Sequence, residues 1–260
     1  MCAARNNVAE VLELYKIDYS RPGLVFVFNY INFSEFKDRG GAIKDQQRVA
    51  GLFKELNFEV EPFVDMTAKE TRETLDELGK RNYTKVDCVL VFIMSHGEMG
   101  TIYSSDCQKI LLAEFFAPFE KCQSLINKPK LFFIQACRGK EGEFRYVEIH
   151  HDNPERKEMQ SSSVPIVADF LYAYATTDGT LAPRDAENGT WYIQTLCDVI
   201  DKAKSNDFKD ILTIVSDIIS KREAIAYNET TKQWDIPVRS ISKFESCFRK
   251  KFFISKPKVI

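Results

Sequence analysis

The residues of this chain best suited to covalent chemistry are a cysteine and a histidine that each follow an apolar run. Cys137 stands in Gln135-Ala136-Cys137-Arg138-Gly139 after the run 131–134, and His96 stands in Ser95-His96-Gly97 after the run 86–94. The thiolate is the nucleophilic form of cysteine, and a neighbouring imidazole or positive charge favours it. The imidazole can then return a proton to a departing amine. The glycine after His96 permits close backbone approach, so the amide N–H groups of Gly97 and Cys137 can face a developing oxyanion. Two arginines hold comparable positions: Arg39, beside Gly40 and Gly41, follows the run 24–28, and Arg184 follows the run Phe170–Tyr174. A guanidinium is a planar fork of donors that matches a carboxylate. Together with the amide of Gln135, these forks would favour a short acidic side chain. Taken singly, each residue has a plainer reading. A cysteine inside an apolar run, such as Cys88, is an inert small hydrophobe, and a lone histidine is more often structural.

The chemistry therefore depends on the elements that would bring these residues together. The four runs are short and almost continuously apolar, as expected of strands buried on both faces. Between them the spacing predicts helices. Over 45–56, Val49, Leu52, Phe53 and Leu56 share one stripe. Thr67 followed by Glu70 is a capping-box signal for a helix towards Arg81, with Leu75 and Leu78 inward. Two more helices are predicted over 191–203 and 208–221. Strand alternating with helix implies an α/β fold, with a mostly parallel sheet covered by helices. In such a sheet the carboxyl ends of the strands share one rim, where ligands bind. The phenylalanine-rich stretch 244–254 reads as a further strand, with Arg249, Lys250 and Lys251 on its exposed face. If unpaired it would be an open sheet edge.

Composition narrows the function classes. The chain has 260 residues, 44% hydrophobic and 12% aromatic, enough to bury a substantial core. A formal net charge of -2 argues against nucleic-acid binding, which needs concentrated basic surface. No apolar run reaches the ~18 residues of a membrane span, and the N-terminus lacks a signal-peptide core, so no membrane partner is expected. Seven cysteines without a CxxC pair point to reduced thiols and a cytoplasmic location. Three histidines, two of them adjacent, leave few ligands for zinc, and no metal or cofactor is expected. The absence of GxGxxG and P-loop patterns removes the common nucleotide-binding readings.

The motifs in their order resemble the caspase family. Gln135-Ala136-Cys137-Arg138-Gly139 matches that family's nucleophile signature, and His96 precedes Cys137 by 41 positions. Met94-Ser95-His96-Gly97-Glu98, Tyr15-Lys16-Ile17-Asp18-Tyr19, Ala168-Asp169-Phe170-Leu171 and Gly189-Thr190-Trp191-Tyr192-Ile193-Gln194 also resemble family blocks. The likeness runs from about Tyr15 to the C-terminal aromatic stretch.

The resemblance implies a six-stranded, mostly parallel sheet with helices on both faces, and a cysteine endopeptidase that cuts proteins after aspartate in apoptosis or related signalling. It implies His96 and Cys137 as the catalytic pair, Gly97 and Cys137 as oxyanion donors, and Arg39, Gln135 and Arg184 as the aspartate pocket. Backbone near Arg184 would pair with the substrate as an added strand. The chain divides into a short N-terminal segment (1–14), a large-subunit part (15–139), a polar intersubunit linker (140–163) and a small-subunit part (164–260). Asp152 is the linker's one aspartate and the candidate processing site. The short leading segment is similar to that of executioner-type members with no recruitment domain. Implied partners are protein substrates, a second copy or another caspase in a dimer, and regulators of the inhibitor-of-apoptosis type. The chain departs from the family just before the second arginine: Thr180-Leu181-Ala182-Pro183 has leucine and proline where bulky aromatics are expected. The residues 226–242 also align poorly with the family's more distant pocket loop. Both departures predict an altered subsite preference. They also leave a second reading, a weakly active or inactive homologue that regulates an active caspase by dimerisation.

Overall fold

The structure, a computed structural model, describes residues 13–138, 167–180, 182–185, 187–228 and 233–256, of which 224–228 and 233–238 as backbone alone. In chain order the elements begin with strand β1 (Gly23–Asn29), helix α1 (Ala42–Glu55), β2 (Phe58–Val64), α2 (Ala68–Lys80) and β3 (Val89–Met94). A small meander of β4 (Gly97–Glu98), β5 (Thr101–Tyr103) and β6 (Lys109–Leu111) leads into α3 (Leu112–Lys121) and β7 (Lys130–Gln135). The second half holds β8 (Phe170–Tyr174), β9 (Arg184–Asp185), β10 (Gly189–Thr190), α4 (Trp191–Ala203) and α5 (Phe208–Ser220). A hairpin of β11 (Ala224–Asn228) and β12 (Gln233–Val238) precedes β13 (Lys243–Ser246).

Six strands form the central sheet in the order β13-β8-β7-β3-β1-β2. All neighbours are parallel except β13, which runs antiparallel to β8. The α/β, mostly parallel architecture expected from the apolar runs is therefore present. Alternate residues of each central strand point to opposite faces, and each face has its own core. Val25, Val27, Leu90, Phe92, Leu131 and Phe133 pack against residues of α1, α4 and α5. Phe26, Phe28, Val91, Ile93, Phe132 and Ile134 pack against residues of α2 and α3. Burial on both sides is why these strands lack a polar alternation.

The predicted helices are present with small shifts at their ends. The capping box also forms: the Thr67 hydroxyl accepts from Glu70 N at 3.3 Å, and Glu70 Oε2 accepts from Thr67 N at 2.8 Å. The run 86–94 yields a shorter strand, because Val86 N closes a turn onto Tyr83 O before β3 begins.

The C-terminal stretch differs from expectation. Only Lys243–Ser246 is strand, and the chain then turns. Phe252 joins the core that holds α5 and Phe248 packs against it, while the chain bends at Arg249 and Lys250. The reading of Arg249, Lys250 and Lys251 as an exposed strand face is also corrected. Arg249 donates through Nε (2.9 Å) and Nη2 (2.6 Å) to the buried carboxylate of Asp169, which also accepts from Tyr15 OH at 2.6 Å. Burial pushes the Asp169 carboxyl up, but its bonds from Arg249 and Tyr15 outweigh that and hold it below its usual value. This cluster lies at the start of β8, far along the sheet from the rim.

Asp152 and the linker 140–163 lie outside the described residues, as do the segment 1–12 and Leu181. No helix among the described residues is long and apolar enough to cross a membrane.

Candidate active site

The register of the sheet places the histidine and cysteine turns side by side. In the parallel pair β3–β7, Met94 is the partner of Gln135. His96 and Cys137 each come two residues later. The pairing continues past the strands, with Ser95 N donating to Gln135 O at 3.1 Å. Gly97 marks the closest approach. A Cβ there would lie 2.6 Å from Thr101 O, 3.0 Å from the Ala136 Cβ and 3.3 Å from Cys137 O. Any larger residue would thus push the histidine turn away from the cysteine turn.

His96 is held from three directions. Its Nε2 lies 2.7 Å from the Lys37 carbonyl oxygen. A carbonyl can only accept, so Nε2 carries the hydrogen, and in the neutral ring Nδ1 is then the nitrogen able to accept a proton. Phe33 packs on the ring at a centroid distance of 4.8 Å and Phe36 approaches edge-on at 6.1 Å. Phe36 in turn meets the edge of Tyr103 at 4.8 Å. Residues 31–38 therefore form a wall behind the imidazole. That loop is pinned by Asp65, whose carboxylate accepts from Asn32 N at 3.0 Å and Asn32 Nδ2 at 2.7 Å.

The same loop delivers Arg39, whose side chain is almost wholly buried. Its Nη1 donates to Tyr30 O at 2.8 Å and to Asn29 Oδ1 at 3.2 Å. Burial, followed by the charge of Arg184, pushes the Arg39 guanidinium down to about 10, against the opposing influence of Asp45, Cys137 and Asp65. Arg184 reaches the same place from the other half of the chain. Burial lowers it as well, and Cys137 and Asp45 act in the opposite direction. These influences put both guanidinium groups in the electrostatic neighbourhood of Cys137. Gln135, at the end of β7, is buried, and its Oε1 has no hydrogen-bond partner. An unsatisfied buried acceptor costs about 1–3 kcal/mol and only a donor can relieve it; towards a carboxylate it is the Gln135 amide N–H that can act.

Arg184 is carried by the short β9–β10 hairpin, in which it is the partner of Thr190. Thr190 caps α4 by accepting from Ile193 N at 3.3 Å. Its own N–H donates to the buried carboxylate of Asp45, at 2.9 Å to Oδ1 and 3.1 Å to Oδ2. Burial raises the Asp45 carboxyl, and the bonds from Gln194 and Thr190 only partly pull it back. Before the arginine, Ala182 and Pro183 are half-buried, and Trp191 N donates to Pro183 O at 3.3 Å. Arg222 stands over the Trp191 ring at 5.9 Å.

All five side chains singled out for chemistry therefore lie at the carboxyl rim, at or beyond the ends of β1, β3 and β7 and in the hairpin that follows β8. Two groups escaped the sequence reading. The Lys37 carbonyl is a backbone atom with no compositional signature. Asp45 looks like an ordinary acidic residue at a helix start. Among the described residues, no group of three or more His, Cys, Asp or Glu side chains could hold a metal ion.

Comparison with known proteins identifies the family. Residues 22–252 match the family model described as the caspase domain. Caspase-6 of Bos taurus is 34% identical over 84% of this chain and 80% of its own length. Caspase-3 of Bos taurus is 37% identical over 83% of this chain and 78% of its own. The crystal structure of Caspase-1 from Spodoptera frugiperda superposes with a TM-score of 0.79 at 25% identity, covering 100% of this chain and 98% of that one. With the family model matching most of the chain and these relatives covering more than four fifths of it, this chain belongs to the caspase family.

Proposed function

We propose that this protein is a cysteine endopeptidase that cleaves protein substrates after aspartate, in apoptosis or related signalling. The observation that supports the reading is the register that sets the His96 turn beside the Cys137 turn, on the rim that also carries Arg39 and Arg184. In the proposed reaction, His96 Nδ1 takes the Cys137 proton, and the guanidinium pair favours negative charge at the sulfur. The thiolate then attacks the substrate carbonyl carbon. The resulting oxyanion accepts from the N–H groups of Gly97 and Cys137. As the C–N bond breaks, the imidazolium passes its proton to the leaving amine. Water then hydrolyses the thioester with His96 as base. Arg39, Arg184 and the Gln135 amide hold the substrate aspartate.

The reading extends to assembly. β13 ends the sheet, and among the described residues no strand covers its outer side. Pairing of this edge with a second copy, or with another caspase, would bury it. Cleavage at Asp152, regulators of the inhibitor-of-apoptosis type and a cytoplasmic location belong to the same proposal. Pro183 supports the second reading, a regulator of an active caspase. Its ring stiffens the segment before Arg184 and removes one donor from the backbone that would pair with the substrate.

Peptides that differ only in the residue before the scissile bond test the proposal. Aspartate should exceed glutamate by about 10–200-fold in kcat/KM, the usual effect of one methylene. Asparagine should fall further, by about 10³-fold or more, because it leaves the forks without a charge partner. Equal cleavage of all three would refute the specificity. A protein inert towards all of them that nevertheless accelerates an active relative would establish the regulator.

A further inference from the structure

The buried carboxylate of Asp45 takes no part in the reaction above, yet it sits where the two arms of the pocket meet. It lies in the first turn of α1, and Arg39 stands just before that helix. From there it reaches across to the other half of the chain. Its Oδ1 accepts from Thr190 N at 2.9 Å and from Gln194 Nε2 at 2.8 Å. Thr190 is the strand partner of Arg184. One carboxylate therefore spans from the helix next to the first arginine to the hairpin that carries the second.

The fit around it is close. A Cβ at Gly189 would lie 2.4 Å from Asp45 Oδ1 and 2.6 Å from Gln194 Nε2. Gly189 also has φ +95, a conformation that other residues rarely adopt. Asp45 makes no ion pair with either arginine: its acceptors are filled by a backbone N–H and an amide, and Arg39 donates to Asn29 and Tyr30 instead. A carboxylate paired directly with the guanidinium groups would occupy the forks that a substrate needs. Held aside by neutral donors, it leaves them open.

We propose that Asp45 is a positioning residue for substrate specificity, which fixes the separation of Arg39 and Arg184 by tethering the β9–β10 hairpin to α1. It does not touch the substrate. The inference rests on the aspartate-pocket reading above. Two forks at a fixed separation can distinguish side chains that carry the same charge but differ by one methylene. A loosened hairpin accommodates both.

The test uses the full chain with Asp45→Ala and Asp45→Asn, assayed on matched aspartyl and glutamyl peptides. Loss of negative charge alone would change both substrates equally, so the diagnostic quantity is the ratio of their kcat/KM values. Alanine should reduce the aspartate-to-glutamate ratio by about 10-fold or more, on the scale that small misplacements cost in a preorganised site. Asparagine, which keeps one acceptor for Thr190 N–H and Gln194, should reduce it by about 3-fold. A ratio within twofold of wild type in both variants overturns the proposal, whatever happens to the absolute rates. If the alanine variant does not fold, asparagine and Gln194→Ala carry the test, and the same unchanged ratio overturns it. A wild type that cleaves aspartyl peptides with unaltered variant ratios sinks this inference alone. A wild type inert towards them sinks the pocket reading and this inference with it.

Discussion

Replacing Cys137 by alanine is expected to reduce hydrolysis of aspartyl peptides by about 10⁴-fold or more, to the level that binding and oxyanion contacts alone sustain. The methyl group that remains can neither attack the carbonyl nor exchange a proton with His96. Because the residue lies just beyond β7 and is partly exposed, the fold should survive the change. An unaltered melting temperature would separate loss of chemistry from loss of structure. His96→Ala should approach the same floor, because the two side chains act as a unit and their losses do not add. Residual turnover within tenfold of wild type in purified Cys137→Ala protein would mean that another nucleophile does the work.

The second large effect belongs to the pocket. Arg184→Ala should lower kcat/KM for aspartyl peptides by about 10²–10³-fold, the scale of removing one partner from a desolvated charge pair. Arg184 is a cleaner target than Arg39. It makes no hydrogen bond or ion pair to a described side chain, so its removal leaves nothing orphaned and should alter stability by about 0.5 kcal/mol or less. Loss of Arg39 would strand Asn29 Oδ1 and the Tyr30 carbonyl, mixing a folding defect with the binding defect. The signature of a binding role is selectivity. Cleavage of a matched peptide with alanine before the scissile bond, however slow in wild type, should change by less than about threefold in Arg184→Ala. Equal losses on both peptides would show that Arg184 supports the site without reading the carboxylate.

Much of this arrangement could be read from residues alone, for definite physical reasons. β1, β3, β7 and β8 are buried on both faces, so their sequences are apolar without alternation, and the residues that follow them fall on one rim. That single topological fact is enough to put Cys137, His96, Arg39 and Arg184 on one rim. The strand β2 was not legible, because it sits at the sheet edge and intersperses Glu59, Glu61 and Pro62 among its apolar residues. The meander β4–β6 was missed because strands of two or three residues have no measurable period. The aromatic C-terminus misled in the opposite direction. The spacing of Phe248 and Phe252 suits a strand, whereas the chain bends at Arg249 and Lys250, where Arg249 is bonded to Asp169. Lys37 contributes only a carbonyl, and Asp45 acts through a fold contact with Thr190 across the whole chain. Neither property is written in a side-chain type.

Whether one sulfur, one imidazole and two guanidinium groups act together at one rim is tested most directly by site-resolved covalent labelling. An aspartyl peptide fluoromethyl ketone, in which the thiolate displaces fluoride to form a thioether, should label Cys137 alone. Cys107 and the exposed Cys247 should stay unmodified at equal exposure to the reagent. His96→Ala and Arg184→Ala should each slow the labelling markedly. Label distributed over Cys107 and Cys247, or a Cys137 reaction indifferent to both substitutions, would contradict the account.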